Sequence, residues 1–216
     1  MSDGHAGDQS SKQFLPPPLE GVHAHLRPVT PRHYELIQAL ELSTELAFRW
    51  RFRGSTPSPE QWAQTLWRGV IAQYLVVTPG QQQPIGLVLA YNANFQDQYA
   101  YVAVARFESQ QRSPVMILGF GMFIHYVFTC WPFRKLYLES SQYNYDQFAS
   151  GVGRYFEVEA RLRDHSFFGG QYWDQLTLAI YREPWMRLGK RLLAVESPAG
   201  AGRARVRVQT RTPRNA

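Results

Sequence analysis

Residues 113–133 (SPVMILGFGMFIHYVFTCWPF), bracketed by Arg112 and Arg134, carry no formal charge. A run of this length either spans a bilayer or forms the central helix of a well-covered core. His125, Thr129 and Pro132 interrupt its apolar character. Strand-like sequence flanks it, residues 99–107 (YAYVAVARF) before and 136–140 (LYLES) after. If the chain is one domain, both strands join one sheet, so we read a core helix opening at Pro114, with no membrane span. Strand, helix and strand then form a crossover, whose strands are parallel and whose connection is right-handed. In the polar turn 108–113 (ESQQRS) a strand hands over to a helix, where outward-pointing amides carry the partial positive charge that suits phosphate.

The remaining sequence supplies the elements around this unit. Residues 22–29 alternate Val22, Ala24 and Leu26 against His23, His25 and Arg27, the period of a half-buried strand. Thr30 and Pro31 offer an N-cap and first residue to a helix over 32–46, with Leu36, Ile37 and Leu40 on one face. Ser58, Pro59 and Gln61 form a capping box opening a second helix to about residue 70, on which Trp62, Leu66 and Val70 share a face. Residues 74–78 and 85–91 read as a hairpin around Pro79 and Gly80. The strand 99–107 follows, apolar on both faces until Arg106 and therefore central. Residues 144–156 read as a helix. Residues 158–165 read as a half-buried antiparallel strand with Val158, Ala160 and Leu162 on one face; Gly169 and Gly170 make a turn, and 176–181 form the last strand. The expected fold is α/β (α+β), a single mixed sheet of about seven strands with flanking helices and one parallel crossover.

Charge separates this domain from its ends. The net charge is +6, yet the eight basic residues from Arg187 onward face one acid, Glu196, which leaves the rest of the chain close to neutral. Nucleic acid is therefore not an expected partner of the domain. Residues 1–20 and 188–216 lack the apolar content to bury themselves and are expected to be disordered tails, the second one basic, around a domain over 21–187. Residues 1–13 are polar and hold no secretory signal. The single cysteine, Cys130, excludes an intramolecular disulfide framework and reads as a buried thiol, so a cytoplasmic setting is expected.

Other conspicuous residues have structural readings. Residues 48–54 (FRWRFRG) read as surface arginines over aromatic rings tucked under the helices, with an anion or base-stacking site as the alternative. His125 reads as a core histidine, and Met116, Met122 and the phenylalanines as core. His23 and His25 stand at i, i+2 with no third ligand nearby, so no metal is expected.

Residues 151–185 (GVGRYFEVEARLRDHSFFGGQYWDQLTLAIYREPW) combine a helix end, a strand with Glu, Arg and His, a glycine turn followed by Tyr172 and Asp174, and a strand ending Arg-Glu-x-Trp. Residues 26–37 read LRPVTPRHYELI. In these features the chain resembles, over residues 22–187, the GNAT superfamily of N-acyltransferases, and within it the ribosomal-protein serine and alanine acetyltransferases. The resemblance implies acetyl-CoA or another acyl-CoA as co-substrate, its pantetheine pairing with the strand edge at Val102 and Val104. Its pyrophosphate would meet the turn before the central helix.

The family's signature at that turn is Gln or Arg, two residues, Gly, one residue, then Gly or Ala. It aligns here with Gln111, Arg112, Ser113, Pro114, Val115 and Met116. Gln111 keeps the first position. Pro114, which has no N–H, and Met116 replace the small residues, so the motif is degenerate; Arg112 offers a charge-assisted contact in their place. Asn144 matches the family asparagine, and with Phe148 completes the expected donor-binding set. Relatives protonate the leaving thiolate from a tyrosine or a serine; those positions fall here on Gly151 and Gln147. Glu139 as base, with Asn144 and Tyr145, are then the catalytic candidates, against readings as a solvated strand-end carboxylate and a helix cap.

Three functions fit these features. The first is an N-acyltransferase moving an acetyl or other acyl group from CoA to a primary amine of a peptide, protein or small molecule. The second uses a longer-chain donor or one bound to an acyl carrier protein. The third is a non-catalytic binding module of the same fold. A homodimer is left open.

Overall fold

The computed structural model describes residues 19–43, 50–81, 83–107, 114–147 and 149–194. Among them eight strands form one sheet: β1 (Leu19–Glu20), β2 (His25–Pro28), β3 (Val70–Val77), β4 (Pro84–Asn94), β5 (Tyr99–Arg106), β6 (Lys135–Ser141), β7 (Glu157–Phe168) and β8 (Gln171–Tyr181). The spatial order is β1-β2-β3-β4-β5-β6-β8-β7. Every neighbouring pair is antiparallel except β5 and β6, the two strands joined by the predicted crossover. Of the expected tails 1–20 and 188–216, residues 1–18 and 195–216 lie outside the described residues; Leu19 and Glu20 are not part of a disordered tail but pair with Leu26 and His25 as β1.

The crossover helix α3 (Pro114–Cys130) buries Met116, Phe120, Phe123, Ile124, Val127 and Phe128. A helix apolar on nearly all sides needs cover on nearly all sides. The sheet covers one side, through Leu26, Tyr74, Val76, Val88, Ala100, Val102, Leu136 and Leu138. A helix that was not anticipated covers part of the other. Residues 182–194 continue directly from β8 as α4 (Arg182–Ala194), so the expectation of a disordered chain from residue 188 is corrected for its first turns. Trp185, 3% exposed, anchors α4 in the same core. Arg182 ties the helix start to the end of α3, donating from Nη1 to the carbonyls of Trp131 and Phe133 at 3.0 and 3.2 Å. No helix among the described residues is long and apolar enough to cross a membrane.

On the opposite face lie α1 (Tyr34–Glu41) and α2 (Pro59–Leu66). Ile37, Trp62 and Leu66 meet Leu75, Val77, Leu87 and Leu89 of the sheet there, forming a second core. The capping box of α2 is present, with the Gln61 N–H donating to Ser58 Oγ and the Ser58 N–H to Gln61 Oε1. Both helices are shorter than expected. α1 ends at Glu41 instead of residue 46, and α2 stops at Leu66 because Gly69, at φ +67°, turns the chain into β3 and takes Val70 with it. Strand β2 is likewise shorter than 22–29, with Val22 40% exposed.

Two further expectations are corrected at the far end of the sheet. The described residues of 144–156 form no α-helix but include short 3-10 turns, Gln142–Gln147 and Ala149–Gly151. β7 is an edge strand, not a half-buried one, and a bulge between Val158 and Ala160 breaks its alternation: Val158 pairs with Leu178 on the α3 face and Leu162 with Gln175 on the opposite face, and they are 46% and 44% exposed.

Candidate functional site

The two parallel strands at the centre of the sheet do not stay together. β5 and β6 pair through Tyr99, Ala100 and Tyr101 with Lys135, Leu136 and Tyr137, and no register continues beyond these. β4 follows β5 to its end, through Val88 with Val104 and Gly86 with Arg106. The Phe107 N–H donates to Ile85 O across that ladder. Backbone polar groups alternate sides along a strand, so Val102, Val104 and Arg106 turn their N–H and C=O away from β4; the pairing of Tyr101 with Tyr137 takes the Val102 N–H, and from the Val102 C=O onward these groups face the opening left by β6. Their side chains stand on the α3 face, with Val102 1% exposed. The sheet thus carries an internal edge of main-chain donors and acceptors in its middle, where an extended ligand can pair as a strand would.

Two segments flank this opening. One is the first turn of α3, where Pro114 offers no N–H and Val115 and Met116 supply the first ones. Met116 is 7% exposed and its thioether rests on Gly86. A Cβ at Gly86 would lie 2.4 Å from Met116 Cε and 2.6 Å from the Ala105 carbonyl oxygen, so Met116 fills the hole that a glycine leaves in β4. The other flank is the turn after β6, with Asn144 and Tyr145 both half-buried and Tyr145 packed on the α3 core. Asn144 Oδ1 is buried without a hydrogen-bond partner among the described residues. Val102, Val104, Val115, Met116, Asn144 and Tyr145 therefore come together at one end of the sheet; Gln111, Arg112, Ser113 and Phe148 lie outside the described residues.

Glu139 lies on the opposite face of β6, on the side of α1 and α2, and is exposed. Its neighbours there were not singled out from sequence. Tyr91, Tyr101 and Tyr137 stand side by side on three adjacent strands, with ring centroids 5.7 Å apart for the first pair and 5.4 Å for the second. Tyr99 sits edge-on to Tyr101 and Tyr137. Burial, then the Glu139 charge, then Tyr101 push the Tyr91 phenol up to about 12. Burial and Glu139 raise that of Tyr101 in the same way. The signal in sequence was the spacing Tyr99-x-Tyr101 and the lone Tyr137 in LYLES, which period 2 places on one face without saying which strands adjoin.

At the other end of this row Lys135 is buried. Its Nζ lies 4.5 Å from the Tyr137 ring centroid and 2.9 Å from each carboxylate oxygen of Glu159, which also accepts from the Tyr181 hydroxyl. Burial works to raise the Glu159 carboxyl, but the hydrogen bonds from Tyr181, Lys135 and Tyr137 outweigh it and hold it below the usual carboxylate range.

In the FRWRFRG segment Trp50 and Phe52 pack beneath the helices and Arg53 is exposed, as expected, but Arg51 is corrected. The Arg51 side chain is only 17% exposed, with Nε 3.3 Å from Glu41 Oε1. It donates to Leu66 O at 3.1 Å and to Gln73 Oε1 at 2.7 Å. Glu41, 1% exposed, also accepts from the indoles of Trp50 and Trp62, each at 2.8 Å. Surface arginines were expected because the acid that holds Arg51 lies ten positions away in the chain and outside the segment.

Cys130 is exposed, not buried, although partial desolvation raises its thiol and leaves it a poor nucleophile. His125 is half-buried on α3. His25 Nδ1 lies 3.3 Å from Arg27 Nη2. Among the described residues no group of three His, Cys, Asp or Glu side chains is placed to hold a metal.

An open mixed sheet whose central parallel strands diverge beside a buried crossover helix gives this chain the fold of the GNAT acetyltransferases. A GCN5-related N-acetyltransferase from Brucella melitensis superposes with a TM-score of 0.65 at 16% identity, over 86% of this chain and 90% of its own. A ribosomal-protein alpha-N-acetyltransferase in complex with coenzyme A gives 0.64 at 17% identity, over 77% and 98%. A spermidine N-acetyltransferase from Vibrio cholerae, in complex with CoA and spermine, gives 0.63 at 18% identity, over 76% and 98%. By sequence, neither a protein-family model nor a curated protein matches the chain.

Proposed function

We propose that the chain is an N-acyltransferase, moving an acetyl or other acyl group from acyl-CoA to a primary amine. The observation that carries this reading is the divergence of β5 and β6 after Tyr101 and Tyr137, which leaves the edge from the Val102 carbonyl to Arg106 open to an extended amide-bearing arm such as pantetheine. The cytoplasmic setting rests on the single cysteine and a reducing compartment.

In this reading the Val104 N–H donates to the thioester carbonyl oxygen, where negative charge develops. Glu139 accepts the proton that the acceptor ammonium must lose, directly or through water. The amine nitrogen bonds to the carbonyl carbon, the carbon–sulfur bond breaks, and Tyr145 gives its proton to the departing thiolate and regains one from the nitrogen as the amide forms. Asn144, with its buried and unsatisfied carbonyl oxygen, receives a donor from the bound arm. Pro114 withdraws one phosphate-facing N–H, which favours donors held through their pantetheine and acyl parts, including a carrier-protein thioester.

Calorimetry with acetyl-CoA and a panel of longer acyl-CoAs, followed by thiol release in the presence of amines, tests the reading. Binding with thiol release supports it. Absence of binding for every donor, including a carrier-protein thioester, would leave the fold serving as a non-catalytic module.

A further inference from the structure

Lys135 shows how this sheet face holds a cation. Its ammonium leaves water, lies 4.5 Å from the Tyr137 ring centroid and is neutralised by Glu159 at 2.9 Å. The aromatic face and the carboxylate act together, as a cation over a ring and an anion beside it. The row of rings continues past this lysine to Tyr101 and Tyr91, and at that end the same two components recur without a lysine. Glu139 is two residues beyond Tyr137 on the same face of β6, exposed, and no ion pair forms to it among the described residues. The cationic side chains that act on Tyr91 are Arg51, committed to Glu41 and Gln73, and the exposed Arg53.

We propose that Tyr91, Tyr101 and Tyr137, with the Glu139 carboxylate, form an ammonium site that selects cationic amine acceptors. The site rests on the acyl-transfer reading, because it lies where β5 and β6 part, on the sheet face opposite α3. It gives that reading a substrate class: a compact ammonium presented on an unbranched or unhindered arm, as in an alkylamine, a lysine side chain or a chain N-terminus. A hydroxyl-bearing or uncharged acceptor gains neither the ring faces nor the carboxylate. Holding the ammonium against Glu139 also puts its proton beside the group that removes it, so capture and deprotonation share one residue.

The test uses choline, which cannot be acylated on nitrogen, and neohexyl alcohol, its uncharged carbon isostere. Both are titrated into the full-length protein by NMR, with tyrosine ring resonances as the readout. Choline is expected to bind and to shift the Tyr101 ring, the alcohol to do neither. Tyr101→Phe keeps the ring and is expected to retain choline affinity within about twofold, whereas Tyr101→Leu loses about fivefold or more. Glu139→Gln, isosteric and uncharged, loses about as much again.

Equal binding of choline and the alcohol overturns the inference, as does unchanged choline binding in folded Tyr101→Leu and Glu139→Gln proteins. Absence of choline binding overturns it too. Thiol release from acyl-CoA is measured on the same preparations. Selective choline binding without thiol release upholds the cation site and removes the acyl-transfer reading; thiol release without selectivity for the cation does the reverse.

Discussion

The Nζ of Lys135 sits 2.9 Å from both carboxylate oxygens of Glu159, a residue that enters from the edge strand two positions across the sheet. This pair fastens β7, otherwise a strand with one neighbour, to β6 beyond the strand between them. Lys135→Met is expected to cost about 1–2 kcal/mol, read by chemical denaturation. Because the native Glu159 carboxyl lies below its ordinary value, the pair contributes stability above the unfolded-state carboxylate pKa and loses it as pH falls through the folded one. The acid limb of the stability profile should flatten in Lys135→Met.

A buried pair on the same face, toward the other end of the sheet, should respond more strongly. Glu41→Gln keeps the shape but leaves Arg51 charged and without its anion beneath α1 and α2, and turns an amide N–H toward two indole donors. A loss of about 3 kcal/mol is expected, and Arg51→Met combined with Glu41→Gln should recover part of it. Additive losses in the double mutant would contradict coupling between the two side chains.

Gly86 and Met116 form a third testable contact. Gly86→Ala places a methyl against the Met116 thioether and the Ala105 carbonyl, and is expected to cost about 1–3 kcal/mol. Met116→Ala in the same background should relieve only part of this, since the Ala105 oxygen is backbone and cannot move aside. Thermal unfolding of the single and double variants measures the difference.

Tyr91 makes an alkaline prediction. Its phenol is held at about 12 against an ordinary value near 10, so the native state keeps the proton longer than the unfolded chain. Stability is therefore fully present below about pH 10 and falls by roughly 2–3 kcal/mol as pH rises through the folded value. Tyr91→Phe should abolish that decline, followed by unfolding in denaturant at stepped alkaline pH.

Catalysis should depend on one backbone donor. Val104→Pro removes the N–H that faces the opening without taking a hydrogen bond from the ladder with β4. A fall in kcat of about two orders of magnitude with little change in circular dichroism is expected. Unchanged turnover would remove Val104 from the proposed mechanism.

Much of this architecture is legible in the sequence, and particular residues show why. The unbroken apolar run from Tyr99 to Ala105 reports a strand covered on both faces, the capping box at Ser58 marks a helix start, and the length of the crossover dictates that β5 and β6 are parallel. The misplacements have equally local causes. α4 was missed because its exposed Arg187 and Arg191 resemble the basic chain that follows it, while Trp185 alone carries much of its burial. The single face assigned to Val158, Ala160 and Leu162 was wrong because a bulge between Val158 and Ala160, invisible in the alternation, moves the later residues to the opposite face.

For the candidate site the division is sharper. Gln111 to Met116, Glu139 and Asn144 can be picked out one by one, because a family pattern or a residue type marks each of them. Sequence by itself determined the crossover, and with it a single place where two parallel strands could part. Where they part was decided by the tertiary structure: pairing stops after Tyr101 and Tyr137, and Tyr91, Tyr101, Tyr137 and Glu139 become one surface. Period 2 tells which residues of one strand share a face, but neighbours across strands are set by register and twist, which depend on packing from both sides of the sheet at once.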